Sequence, residues 1–175
     1  MIPKKIYQSW KTKSLPENLE RNVAKLKALN PEYEHILYDD EDCKKFLLDN
    51  FGQSHADAFD ILIPGAFKCD FWRYAIMYVK GGIYLDLDIE PIKPLREFIN
   101  EDDKFVSVVD RDVLGLIGIY QAFLACVPNH PVMKLSLDFA FSNIATRRTG
   151  ISDVFSITGP NVVAVALNIY WRKQN

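Results

Sequence analysis

Residues 67–95 read FKCDFWRYAIMYVKGGIYLDLDIEPIKPL, and the fold turns on how this stretch divides. Residues 66–80 form a strongly apolar helical run, which Gly81 and Gly82 can end by supplying a positive-φ position after the last turn. The segment that follows, 81–95, reads as a buried strand with two carboxylates inside it. Side chains alternate along a strand, so Ile83, Leu85, Leu87 and Ile89 are expected on one face and Tyr84, Asp86, Asp88 and Glu90 on the other. Pro91 and Pro94 stop the ladder soon afterwards and leave the acids near the strand's carboxyl end. Two ionised groups roughly 7 Å apart among core residues repel and lose hydration, unless something positive answers them. A divalent cation would do so, and so would a ligand rich in hydroxyls and donors. The plainer alternative is that the aspartates cap a strand end or pair with basic side chains.

The helix before the turn weighs against the plain alternative. Asp70 and Arg73 stand at i and i+3, hence on one helical face. Alone they read as an intrahelical salt bridge. Joined to the acidic strand by a tight Gly-Gly turn, they suit a polyhydroxylated, phosphorylated ligand: Asp accepts from sugar hydroxyls, and Arg donates a planar fork to phosphate or hydroxyl oxygens.

Outward from this centre, strands and helices alternate. The reading is a strand at 4–10, a helix at 16–31 with Leu19, Val23, Leu26 and Leu29 at helical spacing, a strand at 33–40, and a helix after Asp39 or Asp40 as cap. Beyond residue 95 come strands at 105–110 and 118–127, a helix opening at Pro131 with His130 as its cap, and a last helix at 161–173. This alternation predicts an α/β sandwich around a mostly parallel sheet, with ligands beyond the carboxyl ends of its strands. The 175 residues, 49% of them apolar, suit one domain over 1–175.

Composition narrows the function classes. A net charge of -2 raises no field for nucleic acid or membranes. The longest apolar run, Val113 to Val127, is shorter than the roughly 20 residues a bilayer span needs. The polar N-terminus lacks signal-peptide character, and Cys43, Cys69 and Cys126 are widely spaced, which together predict reduced thiols in a cytoplasmic chain; nothing in the sequence fixes its oligomeric state, with a monomer favoured. An EF-hand, a Walker-type phosphate loop and a G-x-G-x-x-G dinucleotide turn are all absent, so a pyrophosphate would be neutralised by metal.

Four stretches together resemble glycosyltransferase family 32, the D-x-D sugar-transferases that include initiating mannosyltransferases, capsular polysaccharide enzymes and, distantly, clostridial glucosylating toxins. They are IPKKIYQSW at 2–10, NPEYEHILYDDED at 30–42, the opening stretch at 67–95, and ACVPNHP with the later TGP. The resemblance implies a GT-A fold, a nucleotide-diphosphate sugar donor (UDP-sugar such as UDP-glucose ahead of GDP-sugar), Mn²⁺ or Mg²⁺, and a glycan or glycoconjugate acceptor, with retention of configuration. It further implies that Asp88 is the direct metal ligand, that Asp86 contacts ribose or sugar and approaches the metal, and that Asp70 and Arg73 hold the sugar hydroxyls. Trp10 would pack near the base with Gln8 beside it, and Tyr84 would lie close to the donor. Family members continue past T-G-P into a further metal or phosphate contact, whereas this sequence stops at Asn175; Arg147 and Arg148 in TRRTG are candidates to meet the diphosphate. Two rival readings are a haloacid-dehalogenase-type phosphatase with Asp86 as nucleophile, and a non-catalytic nucleotide-sugar-binding module.

Overall fold

The computed structural model describes residues 1–110, 117–146 and 154–173. Among them five strands, β1 (Lys5–Ser9), β2 (Glu34–Tyr38), β3 (Gly82–Leu85), β4 (Phe105–Val109) and β5 (Ile119–Cys126), build one sheet in the order β2-β1-β3-β5-β4. The helices are α1 (Glu17–Leu29), α2 (Asp40–Phe51), α3 (Gln53–Ile61), α4 (Gly65–Lys80), α5 (Pro131–Ala145) and α6 (Pro160–Arg172).

The sheet is mixed, where the alternation of elements predicts a mostly parallel one. β1 runs parallel to both β2 and β3, while β5 runs antiparallel to both β3 and β4. Helical crossovers enforce parallel pairing only as far as β3; between β3 and β4 the chain carries prolines and one 3-10 turn, Leu95–Glu97, in place of a crossover helix, and β4 and β5 pair as antiparallel neighbours.

Helices cover both faces. On one, Tyr7, Tyr84 and Leu124 pack beneath α2 to α6, with Trp72 and Phe71 of α4 at the centre. On the other, Ile6, Ile83, Leu85 and Ala125 meet Leu26 of α1 and Leu95. α4 is buried without a break from Asp70 to Met77, a core helix rather than a surface one. Helix α3 is the element that apolar spacing does not announce: QSHADAFDI buries only two alanines and a phenylalanine, and no side chain caps its start.

Two local features set the site. Gly81 and Gly82 have φ of 61° and 92°, and a Cβ on Gly82 would lie 2.8 Å from the Lys5 carbonyl, so β3 approaches β1 only because that side chain is missing. Second, β3 stops at Leu85 instead of running through the acids. The Asp86 N–H still donates to the Ala122 carbonyl at 2.9 Å, but the chain then turns, with the Ile89 N–H reaching back to the Asp86 carbonyl at 3.3 Å. β1 has run out at Ser9, so no ladder partner extends past Asp86 on that side. The expected shared strand face for Asp86, Asp88 and Glu90 is therefore replaced by a turn, with Glu90 drawn to Lys25 at 2.7 Å and Leu87 buried between the acids.

Candidate functional site

A cavity of about 990 Å³ opens beyond the carboxyl ends of β1, β2 and β3, where Ser9, Asp40 and Asp86 lie on its wall. The N-terminal ends of α1, α4 and α6 reach the same cavity through Pro16, Gly65 and Gly159. None of these three ends is capped by a side chain of the described residues, so their partial positive charge faces the space.

The floor is organised by one guanidinium. Arg73, 3% exposed on α4, donates from Nη2 to Asp86 Oδ1 at 2.9 Å and to the Tyr84 hydroxyl at 3.1 Å, and from Nη1 to the Gln121 carbonyl at 3.0 Å. The same Nη2 lies 3.4 Å from Asp70 Oδ1, so the i, i+3 pair forms as its spacing predicts while also bridging to the acidic turn. Burial opposes the charge on Arg73, and the surrounding Tyr84, Cys69, Asp86 and Asp70 outweigh it and keep the group protonated.

Asp70 has both oxygens occupied. Gln121 Nε2 donates to Oδ1 at 2.8 Å and Thr158 Oγ1 donates to Oδ2 at 3.1 Å. Burial pushes its carboxyl up to about 6, against the Arg73 charge and these donors, which pull it down. The Tyr74 hydroxyl closes the network, within reach of Gln121 Oε1 at 2.7 Å and of the Thr158 and Gly159 carbonyls at 2.8 and 3.0 Å. Tyr84 hydrogen-bonds Asp86 Oδ1 and meets Cys69 Sγ at 2.8 Å.

The structure brings Trp10, Asp70, Arg73, Tyr84, Asp86 and Asp88 to the wall of this one cavity. Gln8 is the exception. It is 2% exposed and its amide is spent on structure, with Nε2 donating to the Leu85 and Asp86 carbonyls at 3.1 and 3.4 Å and Oε1 bonded to His35 at 2.7 Å. Gln8 thus bonds β3 through its side chain just past the last β1–β3 backbone pair, instead of standing beside Trp10 in the cavity. Arg147 and Arg148 lie outside the described residues.

Gln121, Thr158 and Tyr74 are site residues that sequence reading passes over. The available signal for Gln121 was a polar side chain interrupting an apolar run, and for Thr158 its place in T-G-P; neither hints at a bond to a carboxylate 51 or 88 residues away. The donor set also fits a divalent cation. Asp88 is exposed and bonded to no described residue, and the second oxygen of Asp86 is unbonded, leaving carboxylate oxygens for a hard ion. Among the described residues no group of three or more His, Cys, Asp or Glu converges, so the remaining ligands would come from substrate oxygens and water.

Comparison with known proteins gives the family and the fold. Residues 16–106 match the family described as glycosyltransferase sugar-binding region containing DXD motif. An uncharacterized glycosyltransferase of Acanthamoeba polyphaga mimivirus is 29% identical over 97% of this chain and 66% of its own length. The initiation-specific alpha-1,6-mannosyltransferase of Candida albicans is 31% identical over 67% of this chain and 32% of its own. Inositol phosphoceramide mannosyltransferase 2 of Schizosaccharomyces pombe is 27% identical over 99% and 47%. The chain therefore spans between about a third and two thirds of these relatives. Among solved structures, PaToxG glycosyltransferase superposes with a TM-score of 0.77 at 22% identity, covering 99% of this chain and 72% of that one. The UDP-bound glycosyltransferase domain of the YGT toxin superposes at 0.65 and 11% identity, covering 99% and 78%. The α/β fold with its mixed five-stranded sheet is that of GT-A glycosyltransferase domains. The chain belongs to the family of glycosyltransferase sugar-binding regions containing a DXD motif.

Proposed function

We propose that this chain is the catalytic part of a metal-dependent glycosyltransferase, moving a hexosyl unit from a nucleotide-diphosphate sugar to a hydroxyl acceptor with retention of configuration. The observation that carries the reading is the single guanidinium of Arg73, which ties Asp70 on α4 to Asp86 after β3 at the floor of one cavity, beside an Asp88 that no described residue bonds. The names of the relatives favour a mannosyl unit, and the UDP held by the YGT toxin domain keeps UDP-sugars alongside GDP-sugars as donors.

Asp88, with Asp86, would hold Mn²⁺ or Mg²⁺, which when bound supplies a Lewis acid for the departing diphosphate. The uncapped ends of α1, α4 and α6 add their partial positive charge where that diphosphate's negative charge would lie. Asp70 and Arg73 orient the sugar: the carboxylate, ionised above about pH 6, accepts from hydroxyls, and the fixed guanidinium donates. Trp10, half-buried on the wall of the same cavity, would stack the base. Both Asp70 oxygens accept from Gln121 and Thr158, and Asp86 Oδ1 is held by Arg73 and Tyr84, which leaves Asp86 Oδ2 as the oxygen offered to the cation. On this reading substitution takes place on the front face, where the acceptor hydroxyl loses its proton to the leaving phosphate oxygen; the family match over residues 16–106 disfavours the phosphatase reading. A panel of nucleotide-sugars with Mn²⁺ or Mg²⁺, scored for donor hydrolysis and thermal shift, tests it. A ligand at 100 times its Kd adds about 2.7 kcal/mol to native stability. A UDP- or GDP-sugar is expected to give this with wild type and not with Asp88→Ala; no stabilisation by any member with either metal sinks the reading.

A further inference from the structure

The donor reading leaves part of the cavity wall unused. Tyr120 and Phe155 line the same cavity yet remain 45% and 55% exposed. Each is mounted beside a group that grips Asp70. Tyr120 precedes Gln121 on β5, and Phe155 sits three residues before Thr158.

Both mounts are built structure. The β4–β5 register jumps from Ser107 opposite Leu124 to Val108 opposite Tyr120, leaving Gln121, Ala122 and Phe123 unpaired on the β4 side. Such a bulge re-aims side chains, and here it lets two successive residues, Tyr120 and Gln121, reach one cavity that strict alternation would divide between them. The site takes two carbonyls of this stretch: Arg73 donates to the Gln121 carbonyl, and the Asp86 N–H continues the β3 ladder to that of Ala122. Phe155 begins a turn pinned at several points. Asn143 donates to the Ser156 and Ile157 carbonyls at 3.1 and 3.0 Å, Tyr74 reaches the Thr158 and Gly159 carbonyls, and a Cβ on Gly159 would lie 2.9 Å from the Phe155 backbone.

The geometry points to Tyr120 and Phe155 as an acceptor platform that takes a pyranose ring, so that the acceptor is a sugar rather than a bare hydroxyl of a protein or a simple alcohol. The C–H bonds on one face of a pyranose form an apolar patch that an aromatic ring covers, while its hydroxyls stay available to polar groups such as Asp110 on the same wall. The position is the one transfer requires, because the acceptor must meet the donor sugar, and Asp70 is where that sugar is held on the reading above, on which this proposal rests. The cavity stands at the upper end of the roughly 300–1,000 Å³ usual for one small ligand, leaving space for a second ring beside the donor.

The test is saturation-transfer NMR with methyl α-D-mannopyranoside and methyl β-D-glucopyranoside as probes, glycerol as a non-ring control, and UDP or GDP with Mn²⁺ present and absent. Expected is a pyranoside signal on ring C–H protons with wild type, weakened at least tenfold in Tyr120→Ala and in Phe155→Ala and restored in Tyr120→Phe. Nucleotide affinity, titrated in parallel, should stay within about twofold in each. The platform is overturned if wild type binds no pyranoside, if the alanine variants bind it as wild type does, or if nucleotide affinity falls with pyranoside affinity, which would make the rings part of the donor site. Failure of the transferase reading shows separately, as absence of nucleotide-sugar stabilisation in wild type.

Discussion

Asp70 is the residue whose environment carries a measurable signature. A carboxyl held at about 6 in the fold, against its ordinary 3.8, keeps its proton to higher pH folded than unfolded. Its contribution to stability is whole below about pH 4 and lost as the pH rises through 6, a loss on the order of 3 kcal/mol for roughly two pKa units. Asp70→Asn removes the titration and leaves the neighbours. Its Tm relative to wild type should therefore climb between pH 4 and pH 7, and a pH-independent offset in scanning calorimetry would reject this account. That Asp70 and Arg73 share a helical face was legible from their spacing. That the carboxylate is occupied on both oxygens was not, because Gln121 and Thr158 arrive from distant segments.

At the scale of the element, the decisive event is where β3 ends. Alternation predicts a strand through Glu90, whereas the structure ends it at Leu85: the β1–β3 ladder stops at Tyr7 and Tyr84, and the Gln8 side chain takes the Leu85 and Asp86 carbonyls. Gln8→Leu removes the donor from two carbonyls in a buried setting, a cost of about 1–3 kcal/mol. It should also release Asp86 from its place, so urea denaturation will show the lost stability and titration will show weaker nucleotide binding, although Gln8 touches no part of the cavity. Unchanged affinity would mean that the acidic turn holds its shape without Gln8. Helical elements were the easier reading: Asp39, one of the two candidate caps of α2, and the His130 cap on α5 both stand where residue type puts them.

Across the whole molecule, the site is assembled from both halves of the chain. The Tyr74 hydroxyl on α4 lies within hydrogen-bond reach of Gln121 on β5 and of the Thr158 and Gly159 carbonyls ahead of α6. Tyr74→Phe leaves those buried acceptors short of a donor at about 1–3 kcal/mol, which in a chain of this size lowers Tm by roughly 2–4 °C per kcal/mol. Hydrogen exchange should rise at 154–160 more than in α4 itself; equal protection in wild type and Tyr74→Phe would show that the turn is held by other contacts. The sequence by itself determined the parts whose physics is local: the helix with Asp70 and Arg73 on one face, the Gly81-Gly82 stop, and an acidic pair beyond the first helix-linked strands. These depend on spacing, caps and glycine conformation over a few residues. Only the tertiary structure decided the mixed sheet, the end of β3, and the ring of Gln121, Tyr74 and Thr158 around Asp70. Those follow from which strand runs out first and which buried donor finds an unpaired acceptor, and both are settled by packing between segments far apart along the chain.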